Sequence, residues 1–155
     1  MLLAAFLAAL HYLALALGLG AVFARGLRLR DLSRSPWNPD VLTRLLSADT
    51  VWGLAALLWI GTGLVRAFGS VERSSAFYLR NGFFLLKMGL FIALLALEVF
   101  PMITFIRWRI DRSSEGAPMA NPPLRTLMRI NDAEVAIVAL IPFVASLMAR
   151  GVWLF

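Results

Sequence analysis

Four long apolar runs constrain this chain more than any other feature. They cover about 2–24, 48–65, 82–106 and 133–154, each close to the ~20 residues needed to cross ~30 Å of hydrocarbon. Lipid satisfies no backbone hydrogen bond, so only helices or closed barrels span it, and these runs are far too long for barrel strands. The expectation is an all-α integral membrane four-helix bundle, one transmembrane domain over 1–155. Composition agrees. Of the 155 residues 61% are hydrophobic, against roughly 45–50% in a soluble domain, and the mean hydropathy is +0.81. The first run also resembles a signal peptide, with Ala21-Val22-Phe23-Ala24 as a cleavage site. No basic residue precedes it, and it exceeds the ~7–15 residues of a signal core, so a retained span is expected.

Arginine sets the orientation. The connections after the first and third runs carry Arg25, Arg28, Arg30, Arg34 and Arg44, then Arg107, Arg109, Arg112, Arg125 and Arg129. The other side has only Arg66, Arg73, Arg80 and Arg150. The positive-inside bias predicts that the two long connections face the cytoplasm of a bacterial inner membrane and that both termini lie outside. The arginines are expected to grip anionic lipid headgroups. This placement accounts for the net charge of +6 without a nucleic-acid partner. Cysteine is absent, which excludes disulfides, thiolate metal sites and redox dithiols. Any redox chemistry must reside in a bound cofactor.

Local signals punctuate the chain. Ser35-Pro36-Trp37-Asn38-Pro39-Asp40 reads as a turn with Trp37 at the interface, and Pro118 to Pro123 as the break before the fourth span. Ala16, Gly20 and Ala24, and likewise Gly53, Ala56, Ile60 and Gly63, form small-residue ridges suited to close helix contact. Pro101 and Pro142 are expected to kink their helices.

Ionisable side chains inside hydrocarbon are costly and rare, so the few present are the lead to chemistry. His11 and Lys87, the single histidine and lysine, fall in the first and third spans at ~13 Å and ~8 Å from the same face. They share one layer of the bundle. Lys87 and Glu98 are three helical turns apart, on one face but separated by ~16 Å. Each therefore needs a partner from another helix. Asp49, Asp132 and Glu134 lie near the starts of the second and fourth spans, giving a bundle with basic groups in its outer half and acidic groups in its inner half.

Several roles suit each residue. Asp49 reads as a helix cap or as part of a proton-handling polar network, and Asn131-Asp132-Ala133-Glu134 as a capping box. Glu98 suits a pair with a loop arginine or proton handling. His11 suits a neutral imidazole hydrogen-bonded between helices or an axial ligand to haem iron, since imidazole suits iron and cofactor sites form between bundle helices. One histidine is too few for zinc. Lys87 suits snorkelling to headgroups, an anchor for a porphyrin propionate, a sixth iron ligand or a proton donor. Met148 is a second candidate iron ligand.

Leu10-His11, followed by an apolar run ending in the basic segment Arg25 to Asp31, resembles the first helix of HemJ-type protoporphyrinogen oxidases. Leu85-Leu86-Lys87-Met88-Gly89-Leu90 resembles that family's third helix with its lysine. The HemJ family's further histidine, after its first helix, has no counterpart here, where Arg28, Arg30 and Asp31 stand. Nearly the whole chain resembles a family of predicted four-span bacterial membrane proteins, distantly similar to the HemJ and copper-resistance D membrane proteins. The HemJ resemblance implies haem b as cofactor, His11 as axial ligand and Lys87 as a second functional residue. The alternative expectation is a non-enzymatic bundle serving as a partner subunit or small transporter, for which a homo-oligomer supplies any missing half.

Overall fold

The computed structural model describes residues 2–35, 38–69, 80–113, 122–150 and 152–153. They form four helices: α1 (Leu2–Arg34), α2 (Pro39–Phe68), α3 (Gly82–Ser113) and α4 (Leu124–Ala149). All four are long and apolar enough to cross a membrane. At 1.5 Å per residue they run from about 39 to 50 Å, the full thickness of a bilayer with its headgroups.

Each helix therefore continues well past its apolar run. Asn38 caps α2, its side-chain oxygen accepting from the amides of Asp40 (3.0 Å) and Val41 (3.3 Å), while Pro39 supplies a first-turn φ without an orphan N–H. Gly69 closes α2 by donating its amide to Val65 O at 2.8 Å. The prolines Pro122 and Pro123 stop the chain just before α4 begins. Pro101 and Pro142 lie inside α3 and α4, which continue through them. Hydroxyls within the helices bond back to the carbonyl four residues earlier, as Thr43, Ser47, Thr50, Thr62 and Thr104 do. No hydroxyl of this set is left unsatisfied in an apolar surrounding.

The helices run up, down, up and down. The late part of α1 meets the early parts of α2 and α4 through Arg25, Asp49 and Glu134, while its early part meets the late part of α2 through His11 and Thr62. Backbone packing is closest between α1 and α2, between α3 and α4, and between α1 and α4. Side chains tie α2 to α3 at the arginine-rich end: Arg109 to Asp49, Arg112 to Thr43, and Trp52 to Glu98. At the opposite end Trp153, with φ 60, turns the chain back so that its carbonyl accepts from Gly82 N at 3.0 Å. Gly82 is required there because no side chain fits beneath the Trp153 indole.

Two apolar clusters make the core. One gathers Ala14, Val22, Trp52, Trp59, Leu94 and Val138 toward the termini, the other Leu29, Leu32, Leu45, Phe105, Trp108 and Leu127 toward the arginine-rich end. The exterior is apolar too, with Leu2, Phe6, Leu57, Ile92 and Phe143 among the exposed side chains, as lipid contact requires. The small-residue ridges are mostly not contact surfaces. Gly20 and Gly53 face open space, and α1 instead buries Ala14, Gly18, Ala21 and Arg25. Gly18 admits Trp52, since a Cβ there would lie 3.1 Å from the indole. A Cβ at Gly26 would lie 2.5 Å from Asn131 Nδ2. Gly26→Ala is therefore expected to displace Asn131 and destabilise the bundle by about 1–3 kcal/mol, whereas Gly20→Ala is neutral, as thermal unfolding in detergent would read.

Candidate functional site

Between the two apolar clusters lies one polar layer built by all four helices. At its centre the Arg25 guanidinium is completely buried. Its Nε donates to Asn131 Oδ1 (2.8 Å). Nη1 donates to Asp49 Oδ1 (3.1 Å) and to Glu98 Oε1 (2.9 Å). Nη2 donates to Glu98 Oε2 (3.2 Å) and to Glu134 Oε2. Phe105 packs its ring 5.7 Å from the guanidinium carbon. Trp52 Nε1 adds a bond to Glu98 Oε2 at 2.9 Å, and Arg109 donates to Asp49 Oδ2 at 2.8 Å. A buried arginine survives only where its fork of donors is matched by acceptors, and here four side chains from three other helices supply them.

Nearer the termini, α1 to α4 part around a cavity of about 560 Å³, whose wall includes His11, Trp59, Arg66, Lys87, Phe91 and Met148. His11 Nδ1 lies 2.9 Å from Thr62 Oγ1. That hydroxyl donates to Leu58 O at 2.7 Å, which leaves its lone pairs to accept from the Nδ1–H tautomer of His11. Gly63 lets the imidazole approach α2, since a Cβ there would lie 3.1 Å from His11 Cε1. Trp59 lies tilted beside His11 at 5.8 Å and meets Phe91 edge-on, also at 5.8 Å. Its buried Nε1 has no hydrogen-bond partner among the described residues. Lys87 Nζ sits 5.2 Å from the Phe84 ring centre and the Arg66 guanidinium carbon 5.6 Å from that of Tyr12. Among the described residues the wall carries an imidazole, two cations and an indole donor but no carboxylate.

The family described as "Predicted membrane protein (DUF2214)" matches residues 3–153. The chain belongs to this family. No curated protein and no solved structure matches it. Family membership thus agrees with four helices able to cross a membrane, and the chemistry must be argued from side chains.

The structure places the expected residues in two layers. His11 and Lys87 line one cavity, together with Met148. Glu98 and Asp49 join the polar layer. Three expectations are corrected. Asp49, Asp132 and Glu134 cap nothing, because α2 begins at Pro39 and α4 at Leu124, some ten residues before them. Asp132 instead accepts from Arg30 at 2.6 Å in an exposed pair. The inner half is not simply acidic, since Arg25 sits among its carboxylates. Arg25 itself reads as a loop residue in sequence, because the apolar run ends at Ala24. Trp37, and Pro118 within the proline-rich break, lie outside the described residues.

Removing Arg25 would take the cation from Glu98 and Glu134 and leave Asp49 with Arg109 alone. Arg25→Met is expected to cost about 3–5 kcal/mol or to abolish monodisperse protein in detergent. Asp132→Asn, which touches only an exposed pair, is expected to cost under about 1 kcal/mol. Size-exclusion chromatography and thermal unfolding would separate the two.

Proposed function

We propose that this is a bacterial inner-membrane protein that holds an anionic, largely apolar ligand in the cavity near its termini, and that the ligand is haem b or a related porphyrin. The observation that carries this reading is the composition of one wall. His11, Arg66, Lys87 and the Trp59 N–H, which has no partner among the described residues, surround an aromatic and aliphatic interior whose described lining holds no acid. Such a lining suits a flat apolar body bearing carboxylates. The volume of about 560 Å³ falls within the ~300–1,000 Å³ of small-molecule and cofactor sites.

The donor set suits iron. A ligating histidine donates its other ring N–H to a hydrogen-bond acceptor, which fixes the tautomer, and Thr62 Oγ1, 2.9 Å from His11 Nδ1, would serve as that acceptor. Met148 or Lys87 would be the second iron ligand, and Lys87 and Arg66 would hold the propionates. Bound haem would supply one-electron redox chemistry. The chain's own groups would orient it, exclude water and set its polarity through Trp59 and Phe91. The positive-inside bias orients the cavity toward the outer face and the polar layer toward the cytoplasm, where the exposed arginines meet anionic headgroups.

The His11–Thr62 bond favours a second reading, in which the imidazole only fastens α1 to α2 in a non-enzymatic partner subunit or small transporter. The two readings diverge in a spectrum. Haem binding predicts a Soret band in detergent-purified protein, or its gain on adding haemin, with a changed or absent band in His11→Ala. Protein that shows no Soret band in either condition would remove the haem reading. Loss of thermal stability in His11→Ala with an unchanged haem spectrum would favour the fastening role.

A further inference from the structure

The polar layer carries one negative charge too many. Arg25 from α1 faces Asp49 from α2, Glu98 from α3 and Glu134 from α4, and Arg109 from α3 engages Asp49 from its other side. The remaining polar partners, Asn131 and Trp52, are neutral. The neighbouring pairs Arg30–Asp132 and Arg28–Asp31 are exposed and each balances itself. Among the described residues, two guanidiniums thus answer three carboxyl groups. An uncompensated carboxylate in a low-dielectric interior takes up a proton rather than remain charged.

The geometry says which groups hold it. Glu98 Oε2 and Glu134 Oε2 both accept from the same nitrogen, Nη2 of Arg25. Two carboxyl groups crowded onto one donor repel each other when both are ionised, and one proton between them relieves that repulsion. Glu134 is wholly buried, and its Oε1 has no hydrogen-bond partner among the described residues. An orphaned oxygen costs a neutral carboxyl far less than a carboxylate. A metal ion is a poor alternative occupant, because the guanidinium already fills the point on which the three acids converge.

We infer that Glu134 and Glu98, bridged by Arg25, form a proton-binding site inside the bundle that holds one proton at neutral pH. Glu98, with a side chain 21% exposed, is the member through which the proton exchanges, and Glu134 is the member that buries it. Loss of the proton leaves a net negative charge in contact with all four helices, so occupancy of this site is linked to how tightly the bundle closes. None of this depends on what the cavity near the termini holds.

Infrared spectroscopy of the purified full chain in detergent tests the inference directly, because a protonated carboxyl group has its own C=O stretching band. The wild-type protein is expected to show that band at neutral pH, to keep it in Asp132→Asn, and to lose it entirely in both Glu134→Gln and Glu98→Gln. Either glutamine keeps the side chain's shape and leaves two carboxylates for two guanidiniums, so both variants are expected to remain monodisperse and to lose the steepest part of the wild type's pH dependence of thermal unfolding. Absence of the band from wild-type protein at neutral pH would overturn the inference, as would a band that survives in both glutamine variants. Should one glutamine variant fail to fold, the wild-type spectrum alone still decides whether a proton is held.

Discussion

A single guanidinium holds the bundle together. Arg25 reaches Asn131, Asp49, Glu98 and Glu134 with three nitrogens, and those acceptors come from α2, α3 and α4. Apolar packing inside a bilayer gives little preference for helix over lipid, so helix association there relies on close contact and interhelical hydrogen bonds. Burial of an arginine makes the requirement strict, because every donor left unanswered costs several kcal/mol. The relative depth and rotation of all four helices are thereby tied to one point. The two apolar clusters fill the space on either side of it.

That arrangement divides the molecule into halves with different chemistry. Toward the arginine-rich end the helices are bound by charge and by the Arg109 and Arg112 bonds from α3 to α2. Toward the termini they part, and basic and aromatic groups line the space between them. Trp52 and Trp59 lie seven residues apart on the same face of α2 and link the layers, Trp52 bonded to Glu98 and Trp59 tilted beside His11. A polar site and a cavity are thus separated by two turns of one helix, about 10 Å.

Much of the fold was legible in sequence and much of the site was not. Apolar runs of spanning length predict the number and order of the helices. They do not predict helix ends, because α1 continues through Arg28 and Arg30 to Arg34 once its backbone is committed and its charged side chains reach water. Asp49 and Glu134 read as caps because each follows polar neighbours, although Asn38-Pro39-Asp40 is the stronger start signal for α2 and the Pro122-Pro123 stop lies directly before α4. Arg25 was hidden by standing first in a basic segment. Two signals point to it. The inward stripe Ala14, Gly18, Ala21, Arg25, Leu29 and Leu32 keeps helical spacing straight through it. Three acids inside the spans also need a cation nearer than Lys87, which lies three turns from Glu98. His11 and Lys87, by contrast, were found by depth alone, because their helices enter from the same face and both positions are few in residue type.

The order in which this network is synthesised bears on how the protein reaches its membrane. Arg25 emerges before every one of its acceptors. Asp49 follows 24 residues later, Glu98 after 73 and Glu134 after 109. Until then the first helix carries a naked cation at the edge of the hydrocarbon, where a long side chain can rest among phosphates. The network therefore cannot be complete, and the interior cannot seal, until the last helix delivers its carboxyl group.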